Sequence, residues 1–152
     1  MKTAVLRGLM CILALGSPLT PLWAQLRDVN YGKSQIQFTV KQMGVPVDGS
    51  LKKFSAKLSF DPSNLATASA QIEIDMGSVD TGSEEGDTEV KRKPWFNIKD
   101  FPSAKFVSSS LRKKGNNQYE ALGKLSIKGA SRDVVLPFSV TDDAAGSTLT
   151  GQ

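Results

Sequence analysis

The sequence predicts an all-β protein of antiparallel strands, and two observations carry that expectation. Apolar and polar residues alternate with period two in six separate segments, and short clusters of Gly, Pro, Asn and Asp divide most of them. A third observation breaks the pattern. The stretch from Ser78 to Phe106 does not alternate, and it is far longer than the ~2–5 residues of an ordinary hairpin connection.

The chain opens with features of a signal peptide over residues 1–24. Met1, Lys2 and Arg7 supply a positive start, Leu9 to Leu15 an apolar run, and Leu22-Trp23-Ala24 a cleavage site. Gly16, Pro18 and Pro21 interrupt the run, which falls short of the ~20 apolar residues of a membrane-spanning helix. Cleavage would leave 128 of the 152 residues, 25–152, as one domain of a periplasmic or secreted protein. The single cysteine, Cys11, falls in the segment removed, so the mature domain is expected to stand on its core without disulfides.

Histidine is absent, which removes the commonest general base, the commonest zinc ligand and every Ser-His or Cys-His nucleophile. The formal charge of +4 falls to +2 without Lys2 and Arg7, too small a bias to imply a nucleic-acid partner.

In order, Ile36, Phe38 and Val40 share one parity against Gln35, Gln37, Thr39 and Lys41, the mark of a half-buried strand. The run Gly44-Val45-Pro46-Val47-Asp48-Gly49 reads as a loop. Phe54, Ala56, Leu58 and Phe60 form the next inward set, with Leu51 out of phase, which predicts a bulge near Lys52-Lys53. After a turn at Asp61-Pro62-Ser63-Asn64, Ala70, Ile72, Ile74 and Met76 alternate cleanly with Gln71, Glu73 and Asp75. Ala104 to Leu111 is strand-like with split parity, Phe106 against Val107, Ser109 and Leu111. Tyr119, Ala121, Leu125 and Ile127 define one further strand. Val134, Leu136, Phe138 and Val140 define another, with Arg132 on the same parity. Ser147 to Gln152 reads as a strand that begins as the sequence stops. A set of strands with one apolar face each must pack as a sandwich or curl into a barrel.

The order and spacing of several motifs resemble the YceI family of small exported lipocalin-like proteins. They are Ser34-Gln35-Ile36-Gln37-Phe38-Thr39-Val40, Met43-Gly44, Phe54 to Pro62, Ser78-Val79-Asp80-Thr81-Gly82, Asp87, Trp95-Phe96, Phe101 to Phe106, and Gly123 to Gly129. The resemblance implies an eight-stranded antiparallel lipocalin-like β-barrel, about six to seven strands of it present here, with a short helical insertion and a long hydrophobic ligand inside. Against the family pattern, Lys41-Gln42 stand where histidine is frequent and Gly86-Asp87 where an Arg-Asp pair is frequent. The family barrel also continues for about two strands more, so the C-terminal strands are expected to be missing or supplied by another chain, as in a dimer.

The function expected is that of an exported carrier for a long hydrophobic chain: an isoprenoid, an isoprenoid quinone or a fatty-acid derivative. The ligand-facing residues expected from strand parity and from the lid-like insertion are Phe38, Val40, Phe54, Leu58, Ile72, Ile74, Trp95, Phe96, Phe101, Phe106, Leu125 and Phe138. Asp87, Lys91 and Arg92 are the candidate head-group contacts, and the basic triplet Lys91-Arg92-Lys93 beside Trp95-Phe96 is the candidate for transient contact with a membrane surface. The partner expected is a hydrophobic small molecule; no cofactor beyond a non-covalent lipid, no metal and no nucleic acid is implied. The rival readings are a secreted interaction protein without lipid and an enzyme working through Asp80, Glu84, Glu85 and Asp87. The same four acids, as oxygen donors, match no calcium-loop spacing. The insertion is expected to hold a helix from about Ser83 to before Pro94, weakened by Gly86, with Trp95, Phe96, Ile98 and Phe101 covering the apolar mouth.

Overall fold

The computed structural model describes residues 26–42, 44–144 and 146–152, so the expected signal peptide lies outside the described residues. Among the described residues ten strands and one α-helix, besides short 3-10 turns, follow in order: β1 Leu26–Arg27, β2 Ile36–Gln42, β3 Val45–Leu51, β4 Phe54–Ser59, β5 Ser69–Asp75, β6 Val79–Asp80, α1 Glu84–Lys91, β7 Ser103–Gly115, β8 Gln118–Ile127, β9 Ala130–Asp143 and β10 Gly146–Gly151. Every pairing is antiparallel. A seven-stranded sheet in the order β1-β4-β5-β7-β8-β9-β10 curls as a half-barrel, and a three-stranded sheet, β2-β3-β6, packs at one end of it.

The alternation of the sequence becomes the two faces of the large sheet. Register places Leu58 opposite Ala70, Ala56 opposite Ile72, Ile72 opposite Phe106, and Phe106 opposite Leu125, so one apolar face runs without interruption across four strands. The split parity of β7 is resolved by a β-bulge between Ser108 and Ser110. One extra residue there returns Leu111 to the face of Phe106, where it meets Ala121. The serines at the bulge take up the displaced bonding: Ser108 Oγ accepts the Ala70 N–H at 2.8 Å, and Ser109 Oγ donates to the Leu122 carbonyl at 3.2 Å.

The expected loop at 44–49 is instead strand β3, turned back on β2 at Gly44 with φ of 85°. Pro46 is tolerated because β6 reaches β3 only at Ser50 and Leu51, which leaves β3 an edge where the proline stands. Gly49 is required by its partner: a Cβ there would lie 2.3 Å from Cζ of Phe38. The expected bulge at Lys52-Lys53 is a change of sheet. The Lys52 N–H donates to the Ser78 carbonyl at 3.1 Å and the Lys53 N–H to Ser78 Oγ at 2.9 Å, and the chain then enters β4.

The long connection leaves and re-enters the large sheet at adjacent positions. Asp75 pairs with Ser103, and the Met76 N–H donates to the Pro102 carbonyl at 2.9 Å across the neck. Within it, Ser83 caps α1 by accepting the Gly86 N–H at 3.0 Å, and Glu84, Glu85 and Asp87 place negative charge against the positive end of the helix dipole. Gly86 weakens the helix in principle but is needed for fit, since a Cβ would meet Thr81 Oγ1 at 2.4 Å.

Candidate functional site

The concave face of the half-barrel is an apolar trough with a floor of small and aromatic residues. Ala70, Phe106 and Ala121 are buried at its centre, and Leu58, Ile72, Leu111, Leu125, Val134, Leu136 and Phe138 pack around them while only partly covered. Phe106, 4% exposed, lies flat because residue 123 is glycine: a Cβ there would sit 2.8 Å from the ring and 2.4 Å from the Val107 carbonyl.

Both ends of the trough are packed. At one, Phe60, Tyr119 and Phe138 form an aromatic cluster, with Tyr119 stacked on Phe138 at 5.5 Å and Phe60 edge-on to Tyr119 at 5.0 Å, beside buried Val140. At the other, Leu51, Met76, Val79 and Ala104 are buried with Ile36, Phe38, Ile74, Val90, Phe96 and Ile98 against them. The insertion therefore supplies an end plug through Met76, Val79, Val90, Phe96 and Ile98.

The residues expected to face ligand thus separate by place. Leu58, Ile72, Phe106 and Leu125 line the middle of the trough, with Phe138 where it meets the aromatic end; Phe38, Ile74 and Phe96 belong to the end plug; Phe54 stands half-buried, edge-on to Tyr31 at 5.5 Å. Phe101 is half-buried against the β8–β9 turn, where a Cβ on Gly129 would come within 2.7 Å of its ring.

Two placements correct the expectation. Trp95 is 50% exposed and Val40 is 43% exposed, so neither is enclosed. Trp95 follows the last turn of α1, close to Glu89; Val40 lies on the β2–β3 hairpin beyond the reach of the end plug. Val134 and Leu136 join this lining although only Phe138 of their strand is expected to face ligand; their shared parity is the signal.

The candidate head-group contacts have structural partners. Asp87 Oδ1 accepts the Thr81 N–H at 2.6 Å and Thr81 Oγ1 at 2.9 Å, binding the start of the insertion to its helix. Arg92 is paired with Glu89 at 2.7 Å, and Lys91 is half-buried in the last turn of α1, where its positive charge suits the negative helix end.

The acids displaced from their ordinary ionisation all lie away from the trough. The Arg92 hydrogen bond holds Glu89 below the usual glutamate range, the Arg112 hydrogen bond does the same for Glu120 with Lys114 assisting, and the Gly82 N–H and Lys52 lower Asp80. Among the described residues no group of three or more Asp, Glu, His or Cys side chains is placed to hold a metal ion. Two shallow concavities lie mainly outside the trough. One is a wide groove against Glu84, Glu85, Thr88, Glu89 and Arg92; the other, about 180 Å³, is mainly on the outer face of β4, β5 and β7. Neither concavity is lined by the apolar face as a whole, so that face is described by its side chains.

The pattern of a known domain, described as the YceI-like domain, matches residues 28–152. The chain belongs to the YceI family. Among solved structures, BcnA from Burkholderia cenocepacia is 43% identical with a TM-score of 0.78, over 82% of this chain and 78% of that one. A YceI protein from Campylobacter jejuni is 25% identical with a TM-score of 0.60, over 80% and 74%. A polyisoprenoid binding domain from Saccharophagus degradans, 16% identical over 69% of this chain and 60% of that one, shares the fold at a TM-score of 0.53. A UPF0312 protein of Shewanella denitrificans is 33% identical over 110 residues, 72% of this chain. This YceI domain spans 58% of the length of the curated relatives from Shewanella and Vibrio that it matches.

Proposed function

We propose that the protein is an exported binding protein that holds a long hydrophobic chain, an isoprenoid, isoprenoid quinone or fatty-acid derivative, along the concave face of its half-barrel. The observation that carries this is the continuous row of partly covered apolar side chains, Leu58, Ile72, Leu125, Val134, Leu136 and Phe138, over a floor kept low by Ala70, Ala121 and Gly123. A floor of small residues between large walls leaves room for one extended chain. Covering ~10 methylene groups of such a chain contributes on the order of 8 kcal/mol before ordering costs, enough for binding without charged contacts. The fold shared with a polyisoprenoid binding domain supports the same ligand class. The basic, apolar and proline-interrupted start of the chain supports export, with Gln25 as the first mature residue.

The test is extraction of the purified full-length product with organic solvent, followed by mass spectrometry and by titration of the stripped protein with a polyprenol. Close to one equivalent of lipid, or saturable uptake of the polyprenol that Leu136→Asp abolishes without unfolding the protein, is expected. A folded protein that neither carries nor takes up any apolar chain overturns the reading. N-terminal sequencing of the secreted form checks export independently.

A further inference from the structure

We propose that Arg132 is the anion-recognising residue of this trough and that the ligand is an amphiphile ending in a carboxylate or phosphate. The inference rests on the binding function proposed above and adds the polar end of the ligand. Along β9, Arg132, Val134, Leu136, Phe138 and Val140 fall on the concave side, and Arg132 lies directly opposite Leu125, a wall residue of the trough. It is therefore a cation at one rim of this face, the counterpart of Lys113, which lies opposite Tyr119 at the aromatic end.

The other side of the neighbouring strands offers a contrast. The outward-facing cations of β7 and β8 are matched: Lys124 bonds Asp133 at 2.9 Å, Lys105 bonds Glu73 at 3.2 Å, and Arg112 bonds Glu120 at 2.6 Å. The chain neighbours of Arg132 are also committed there, Asp133 to Lys124 and Ser131 to the Ser126 hydroxyl at 2.7 Å. Among the described residues the Arg132 side chain makes no hydrogen bond or ion pair. Its partner is left to be supplied by what the trough binds.

The surroundings reinforce one sign of charge. At the adjoining β8–β9 turn, Lys128 is held at a φ of 48° with its Nζ donating to the Lys93 and Pro94 carbonyls at 3.1 and 3.3 Å, so a second cation is fixed at this end. A guanidinium presents a planar fork that fits carboxylate and phosphate oxygens in pairs, which an uncharged hydroxyl cannot match. From Arg132 to Val140 is eight residues, roughly 27 Å at ~3.4 Å per residue. That length suits a head group at Arg132 with its chain laid toward the aromatic cluster.

The test uses the full chain and four probes read by intrinsic fluorescence or calorimetry: one polyprenol, its monophosphate, a long-chain fatty acid and that acid's methyl ester. Wild type is expected to bind each acid at least about tenfold tighter than its neutral counterpart. Arg132→Gln should erase the preference by weakening the two acids far more than the neutral probes, and rising salt should shrink it in wild type only. Comparing the two acids separates a carboxylate ligand from a phosphate one. Equal binding of acids and neutral probes by wild type overturns the assignment of Arg132 while sparing the carrier function; so does an Arg132→Gln protein that keeps the preference or loses all four probes alike. Failure of every probe to bind wild type overturns the carrier function and this inference together.

Discussion

Gly123→Ala is the sharpest test of how the trough floor is built. The added methyl would stand 2.4 Å from the Val107 carbonyl oxygen and 2.8 Å from two carbons of the Phe106 ring, where an ordinary contact begins at 3.4 Å. The ring can tilt, but the carbonyl belongs to the backbone of the neighbouring strand, and a shortfall of 1.0 Å against it is relieved only by parting β7 from β8. Overpacking of this kind costs about 1–3 kcal/mol, which in a domain of this size lowers Tm by roughly 3–15 °C. Gly32→Ala is the internal control, because its methyl would meet nothing closer than Asn30 Oδ1 at 3.5 Å. That variant should be neutral or gain up to ~1 kcal/mol from the stiffer unfolded chain. Urea and thermal unfolding of both variants decide the matter. A Gly123→Ala protein as stable as Gly32→Ala would show that the floor is looser than its geometry and that Phe106 does not need the glycine beneath it.

Asp87→Ala should cost about 1.5–3 kcal/mol in urea unfolding, the worth of hydrogen bonds to a charged acceptor, and leave polyprenol affinity unchanged. Lost affinity at full stability would return the carboxylate to the binding site. Glu120, held below its ordinary value of 4.5 chiefly by the Arg112 hydrogen bond, stabilises the fold fully above that value and loses its contribution as pH falls from 4.5 through the lowered folded value. The stability gap between wild type and Glu120→Gln should therefore narrow on acidification through this range, as followed by denaturant midpoints at stepped pH; a widening gap would reverse the sign of the coupling.

Parity made most of the large sheet legible before any coordinates. Phe54 to Phe60 and Ala70 to Met76 face where alternation placed them, because a one-residue slip would turn every apolar side chain outward. β3 was illegible for a local reason. Pro46 and Gly49 carry loop chemistry, and what makes them acceptable in a strand, an open edge and the ring of Phe38, comes from tertiary partners. Phe106 and Leu111 looked incompatible until the bulge supplied the missing residue of phase. In the site, the middle of the trough was readable and the insertion was not. An aromatic run such as Trp95-Phe96 says that something is covered without saying which ring does it, and here Phe96 enters the plug while Trp95 stays outside. The unmatched state of Arg132 is likewise a property of two faces compared, which appears only once the strands are in register.

The neck at Met76 and Pro102 makes the inserted segment a cassette. Because its two ends meet, residues can be added to its exposed tip or removed there without changing the register of any strand in the half-barrel. Its cargo of plug residues is not free in the same way, since Val79, Phe96 and Ile98 close the end that Leu51 and Ala104 leave open. Variation in this segment should therefore be permissive in length and strict in those apolar positions, making it the natural place to graft a new recognition surface onto an unaltered apolar trough.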